Sequence, residues 1–170
     1  MTVVNLRAVR LASGELYEDR LAVALDPLEL GGQRYQPVPE RPDALFTMAR
    51  ATSGTVFRLR FGCSLSGPCV RCLGDAAVPV RIDAREYQGS APASEEERTQ
   101  YLVDDRLDVS AWARDEVALA LPEKLLCRAD CAGLCAGCGV NLNVEACRCG
   151  PAEPDPRLAV LAELREKLEG

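Results

Sequence analysis

Between Leu126 and Gly150 the chain reads LCRADCAGLCAGCGVNLNVEACRCG, which places six of its nine cysteines in one short stretch, and no histidine occurs anywhere in 170 residues. A chain that crowds thiols in this way folds around disulfides, a redox pair, or a metal held by sulfur alone. The compartment bears on which. The N-terminus, MTVVNLRAVRLASGEL, lacks the charged-then-apolar order and small-residue cleavage site of a signal peptide. No apolar run approaches the roughly 20 residues that span a bilayer. The expectation is a cytoplasmic chain without membrane association, where clustered cysteines more often serve as metal ligands or redox groups than as structural disulfides.

Spacing refines this. Cys135 and Cys138 form C-A-G-C-G, and two thiolates separated by two residues reach one tetrahedral ion, with Gly137 and Gly139 permitting the tight turn. Cys147 and Cys149 return soon enough to close the same tetrahedron, and four sulfurs at about 2.3 Å complete a structural zinc site. Cys127 and Cys131 remain, and GPCVRCL upstream supplies Cys69 and Cys72. These four predict a second site tying the strands to the cysteine module, with only Cys63 left over. The expected cofactor is Zn2+, one or two ions; one zinc with several reduced bystanders is the competing arrangement. Iron–sulfur ligation also suits an all-cysteine set. A thioredoxin-type relay wants its pair at a helix N-terminus in a βαβ unit, a pattern neither C-x-x-C shows.

Nothing points to catalysis. PCVRC matches half of the zinc deaminase signature, but that chemistry needs a third ligand followed by a proton-shuttling glutamate. The chain has no histidine, and no cysteine is followed two positions later by glutamate. His-based acid–base work and Ser–His or Cys–His dyads are removed with it. Neither a P-loop nor a G-x-G-x-x-G appears. The expectation is a nonenzymatic protein with no small-molecule substrate.

The predicted fold class is α+β: an antiparallel β-sheet in the N-terminal region, a helix, a cysteine-rich zinc module and a C-terminal helix. VVNLRAVRL, RLAVALDPLEL (broken by Pro27), TVFRLRFGC and AVPVRIDAREY read as strands. They make residues 1–87 a β-rich region that includes the first C-x-x-C. TVFRLRFGC alternates cleanly, with Val56, Leu59 or Phe57, and Phe61 competing around Arg58 and Arg60, and the later strand sets Val78, Val80, Ile82 and Ala84 against Arg81, Asp83 and Arg85. Residues 88–100, QGSAPASEEERTQ, read as a mobile acidic loop. Residues 101–123 hold a strand and a helix, with Asp108 or Ser110 as N-cap, Leu107 stapling onto Trp112, and Pro122 as stop. The cysteine module covers 124–150. A last helix over 151–170 starts at Asp155–Pro156 and carries the stripe Leu158, Leu161, Leu164, Leu168. The whole is expected to form one compact domain.

Net charge is −6, so broad attraction to nucleic acid is not expected. Charge is unevenly spread, however. Residues 55–85 carry Arg58, Arg60, Arg71, Arg81 and Arg85 against Asp75 and Asp83, while 86–123 are strongly acidic. One reading is a set of solvated faces. The other is an arginine-bearing sheet that meets RNA.

Four blocks in order, GPCVRCL, LDVSAWARDEVALALPEKLLC, CAGLCAGCGVNLN…CRC and DPRLAVLAEL, resemble the YceD-like family of large ribosomal RNA subunit accumulation proteins from bacteria and plastids. Cys69, Cys72, Cys131, Cys135, Cys138, Cys147 and Cys149 fall on the family's cysteines, Asn141 and Asn143 on its asparagines, and Asp155–Pro156–Arg157 on its D-P-R. Ala136 stands where such motifs often have proline. The resemblance implies a noncatalytic role in accumulation or processing of large-subunit ribosomal RNA and in ribosome assembly, with that RNA or a large-subunit ribosomal protein as partner. The alternative is a zinc-stabilised protein–protein adaptor or thiol-responsive regulator without RNA contact. From the residues alone, Asn141 and Asn143 suit left-handed turns and bonds to thiolate or loop backbone. Arg71 either offsets thiolate charge or reaches a phosphate.

Overall fold

The structure, a computed structural model, describes residues 1–92, 94 and 97–150. In chain order its strands are β1 (Val3–Asn5), β2 (Leu16–Ala22), β3 (Leu28–Leu30), β4 (Gln33–Val38), β5 (Asp43–Arg50), β6 (Gly54–Pro68), β7 (Asp75–Gly89), β8 (Leu102–Val103) and β9 (Arg106–Asp108), followed by α1 (Val109–Leu119). The α+β expectation is met in coarse form: among the described residues there is antiparallel sheet with one α-helix. The expected C-terminal helix, with Asp155–Pro156–Arg157 and its leucine stripe, lies outside the described residues.

The long hairpin β6–β7 sets the frame. Its register runs from Gly54 opposite Gly89 to Pro68 opposite Asp75. The other edge of β6 is shared: Thr55–Arg60 pair with β5, and Ser64–Ser66 pair with β4. The sheet continues outward through β2 on β5 and β3 on β4. A second, three-stranded sheet has the order β1-β9-β8.

Period-two alternation decides which face of β6 is core. Phe57, Leu59, Phe61, Cys63 and Leu65 are buried, and β7 adds Val80, Ile82 and Ala84 from the same side. The competition within TVFRLRF therefore resolves in favour of the phenylalanines, because they meet Phe46 and Trp112 in one core. The Phe46 and Phe57 rings lie 6.2 Å apart in a stacked arrangement. Cys63, the cysteine left over from the pairing scheme, is one of these core residues.

α1 packs against β7 and β1. Asp108 is its N-cap, accepting from the Ala111 amide at 3.0 Å. Ser110, the other candidate, instead accepts from the Thr2 amide at 2.7 Å and so ties the N-terminus to the helix. Trp112 is fully buried, stacks on Tyr101 at 6.3 Å, and donates from Nε1 to Glu116. Leu107 lies in the same core, as the staple requires. The helix stops at Leu119, with Ala120 as C-cap, shortly before Pro122. The N-terminal strand is shorter than VVNLRAVRL suggested. The Asn5 side chain accepts from the Arg7 amide and turns Leu6–Ala8 into a 3-10 helix.

Among the described residues no helix is long and apolar enough to cross a membrane.

Candidate metal centres and an arginine face

The turn between β6 and β7 is the first C-x-x-C. Cys69 donates its amide to the Gly74 carbonyl (2.7 Å), and the Leu73 amide returns to the Cys69 carbonyl (2.9 Å). The second C-x-x-C repeats this: the Cys135 amide bonds to the Val140 carbonyl and the Gly139 amide to the Cys135 carbonyl, both at 2.8 Å. Each turn needs a left-handed residue after its second cysteine. Gly139 supplies it at φ 75°, whereas Leu73 adopts φ 58° despite its side chain.

The two turns build two sulfur tetrads. In the inner one, the Cys69 and Cys131 sulfurs are 3.8 Å apart and those of Cys72 and Cys127 3.7 Å, so residues separated by 62 and 55 positions meet. Cys69, Cys72 and Cys131 are buried, and Cys127 is exposed. The outer tetrad joins Cys135, Cys138, Cys147 and Cys149, with Cys147 at 3.2 Å from Cys135 and 3.6 Å from Cys138. Within each tetrad all sulfurs lie within 4.8 Å of one another. All nine cysteines are free thiols.

Four sulfurs around one ion at about 2.3 Å would sit about 3.8 Å apart, so both tetrads fit a single tetrahedral metal ion. A polynuclear iron–sulfur cluster would interpose iron and sulfide and drive the cysteines further apart. The donor chemistry agrees. Burial opposes ionisation of Cys69, but the amides of Cys127, Arg71 and Cys72 aimed at its sulfur outweigh this and bring its pKa down to about 6. The Cys138 amide and the Cys147 thiol do the same for Cys135, also to about 6. The remaining thiols resist. Desolvation of its sulfur among the other three and the neighbouring Cys131 push Cys127 up to about 12, although the residue is exposed, and Cys147 and Cys138 push Cys149 up to about 12. Each tetrad thus accommodates some negative charge by itself, and a bound dication is what would let all four sulfurs ionise.

Backbone bonds dock the module on the hairpin tip: Val70 donates to the Leu125 carbonyl (3.0 Å), and Leu134 to that of Arg71 (3.1 Å). Gly133 at φ 80° passes so near Arg71 that an added Cβ would lie 3.2 Å from its carbonyl oxygen. The Arg71 guanidinium donates to the Cys131 carbonyl at 2.8 Å. It thereby braces the backbone of Cys131, a member of the inner tetrad. Asn141 and Asn143 bond mainly to each other and to loop backbone, but Asn143 also donates to the Cys131 sulfur at 3.4 Å. That last bond is of the thiolate kind that the residue type suggested, but it reaches a cysteine of the other tetrad and so joins two sites the sequence reading kept separate.

The remaining predicted site residues lie elsewhere. Pairing places Glu18, Thr47, Arg58 and Arg85 in one cross-strand row and Arg20, Leu45, Arg60 and Asp83 in the next, with Arg81 opposite Gly62 beyond. Arg20, Arg60, Arg81 and Arg85 are exposed. Arg58 is clamped by Asp83, with Nε and Nη2 each 2.6 Å from a carboxylate oxygen. That bond, helped by the charges of Arg60 and Arg85, holds the Asp83 carboxyl below its ordinary range. Arg71 does not join this face. It stands in the turn beyond the last pair, Pro68 and Asp75, which is itself ten register positions and about 33 Å along the strands from the Arg58–Arg85 pair.

Comparison with known proteins bears on both features. The family model described as large ribosomal RNA subunit accumulation protein YceD matches residues 57–165, a span that takes in both tetrads and α1. The chain belongs to the YceD family. The uncharacterized protein ML1660 of Mycobacterium leprae is 36% identical over 95 residues, 53% of this chain and 42% of its own length. The uncharacterized protein Rv2926c of Mycobacterium tuberculosis is 37% identical over 103 residues, 58% of this chain and 49% of its own. A maize protein named large ribosomal RNA subunit accumulation protein YCED homolog 1, chloroplastic, is 29% identical over 116 residues, 68% of this chain and 32% of its own. The YceD-family segment shared with these relatives thus spans less than half of their length. No solved structure matches the chain.

Proposed function

We propose that this YceD-family chain is a noncatalytic, zinc-carrying factor that promotes accumulation or processing of large-subunit ribosomal RNA during ribosome assembly in the cytoplasm. Family membership carries this reading. Zinc is the ion of choice for two mononuclear, all-cysteine, closed tetrads, where it fixes structure and leaves no open position for catalysis. Its contribution is to hold the β6–β7 tip against the module that follows α1. Absence of histidine from the sequence supports a nonenzymatic role.

The RNA partner is met by the outer face of the sheet. Arg20, Arg60, Arg81 and Arg85 project from a solvated surface whose acids include Glu18, Asp43, Asp75 and Asp83, the last already clamped to Arg58. Phosphates suit guanidinium groups, and contact there releases counterions. The test is binding of the full chain to large-subunit ribosomal RNA across a salt series. Affinity should fall steeply with salt, and a flat response, or no binding at low salt, overturns RNA contact.

A second reading is favoured by another observation. Val70, Leu73, Leu134, Leu142 and Val144 are exposed around the two cysteine turns. Such a rim suits a large-subunit ribosomal protein, as expected of an adaptor without RNA contact. Recovery of a ribosomal protein from nuclease-treated cell extract, with no binding to bare RNA, would select that reading.

A further inference from the structure

Asn143 belongs by sequence to the outer tetrad, in the loop between Cys138 and Cys147. By contact it belongs to the inner one. Its Nδ2 donates to the Cys131 sulfur at 3.4 Å and to Asn141 Oδ1 at 2.8 Å. Its Oδ1 accepts from the Ala132 amide and from Arg128 Nη2, both at 2.8 Å. Its backbone amide also bonds to Asn141 Oδ1, at 3.0 Å. The amide is therefore orientated from both ends, with one N–H left to point at a metal ligand.

The loop that carries it is held by backbone bonds and by its two terminal cysteines. Leu142 donates to the Gly133 carbonyl, Leu134 bridges Asn141, and Val144 and Glu145 close a turn on the Asn141 carbonyl. Its two ends are Cys138 and Cys147, whose sulfurs lie 3.6 Å apart. An ion shared by those sulfurs would fix both ends of the loop at once. Hydrogen bonds to ligands from outside the coordination sphere orient them and typically change metal affinity 10–100-fold. Two sites that bias one loop must also influence each other reciprocally.

We propose that the two metal centres are thermodynamically coupled, with Asn143 as the positioning residue: an ion in the outer tetrad sets the loop that holds the Asn143 amide on the Cys131 sulfur of the inner tetrad. Losing the outer ion therefore weakens the inner site, although the two tetrads share no ligand. The proposal rests on the reading of both tetrads as metal centres. The inner ion in turn ties the hairpin tip to the module, so release outside propagates toward the sheet.

Cadmium loaded into the full chain gives each tetrad its own NMR resonance, so chelator competition can follow both sites separately. Disabling the outer tetrad by Cys138→Ser with Cys149→Ser should lower inner-site affinity about tenfold and shift the inner resonance. In an Asn143→Leu background, where inner affinity has already fallen, the same pair of changes should have no further effect. Asn143→Asp keeps an oxygen for Ala132 and Arg128 but has no N–H for sulfur; it should weaken the inner site as Asn143→Leu does. Far-ultraviolet circular dichroism and Trp112 fluorescence report whether the sheet core is intact in every variant. Unchanged inner affinity in the outer-site variant overturns the coupling. Equal losses with and without Asn143 overturn its role as carrier. A parent chain that binds no metal overturns the metal reading itself, a result distinct from two ions bound independently.

Discussion

Arg58 and Asp83 face each other diagonally across β6 and β7, with two charge-assisted hydrogen bonds of 2.6 Å between guanidinium and carboxylate. The residue directly opposite Asp83 is Arg60, and the one opposite Arg58 is Arg85. One acid therefore sits among three arginines and is spent on one of them. Arg58 and Arg85 stand as like charges directly opposite each other, and the Asp83 carboxylate offsets part of their repulsion.

This clamp has a measurable consequence. Asp83→Asn removes the only carboxylate in that group and frees Arg58, so association with ribosomal RNA should tighten and its salt dependence steepen. Reversal of Arg58 and Arg60 to Glu should do the opposite and leave metal content unchanged. Fluorescence anisotropy with labelled RNA at two salt concentrations measures both. If Asp83→Asn leaves binding unaltered while the reversals weaken it, Arg58 acts in its clamped form.

Metal content should respond to each tetrad separately. The parent chain, purified without added metal, is expected to carry two zinc ions, and Cys138→Ser one. Cys72→Ser removes an inner ligand at the hairpin tip, so it should lose the inner ion and also release the contacts of Val70 and Arg71 with the module. Elemental analysis counts the ions, and hydrogen exchange at the Val70 and Leu134 amides reads the docking.

Much of this was legible in the sequence because the signals are local. C-x-x-C spacing brings two sulfurs together whatever the rest of the chain does, and alternation in AVPVRIDAREY assigns its two faces without knowledge of the neighbours. Asp108 and Trp112 are placed by helix start rules. What escaped is tertiary. The clamp on Arg58 depends on hairpin register. Arg71 looked close to the other arginines because it is close in sequence, yet a hairpin of fifteen-residue strands carries it away. The Asn143–Cys131 bond crosses between two sites and has no sequence period at all.

The two cysteine turns also make opposite predictions for their left-handed residues. Leu73 holds φ 58° while exposing 62% of its surface, so its side chain contributes little packing to offset the strain. Leu73→Gly should leave the inner metal in place at no net loss of stability. Gly139→Leu imposes the same strain on the outer turn and should cost about 1 kcal/mol there. Chelator-driven release of each ion separates the two effects, with the outer ion leaving earlier in Gly139→Leu.

The core offers a test independent of metal. Trp112 is fully buried between α1 and the sheet, and its indole N–H is satisfied by Glu116. Trp112→Ala should cost about 3–5 kcal/mol, since a large cavity opens where neither Tyr101 nor the strands can close in fully. Asp108→Ala should cost only about 1 kcal/mol through the lost cap. Urea unfolding followed by circular dichroism ranks them, and a smaller loss for Trp112 than for Asp108 would contradict this packing.

The last prediction concerns the thiols once metal is stripped. Cys135, brought down to about 6 by the Cys138 amide and the Cys147 thiol, is a thiolate at neutral pH. Cys149, pushed up to about 12 by Cys147 and Cys138, remains a protonated thiol there even though it is more exposed. The thiolate is the nucleophile, so reactivity should follow charge and not exposure. Brief iodoacetamide treatment of the metal-free chain at pH 7 should label Cys135 ahead of Cys149, as read by peptide mass spectrometry. Lowering the pH through 6 protonates Cys135 and should remove that preference, whereas raising it above 7 gains little more, because Cys135 is already ionised. With metal restored, sulfurs in the outer tetrad are bonded to the ion and labelling there should fall sharply. Labelling that tracks exposure instead, with Cys149 first at neutral pH, would mean that the amides of the second turn do not point at the Cys135 sulfur in solution.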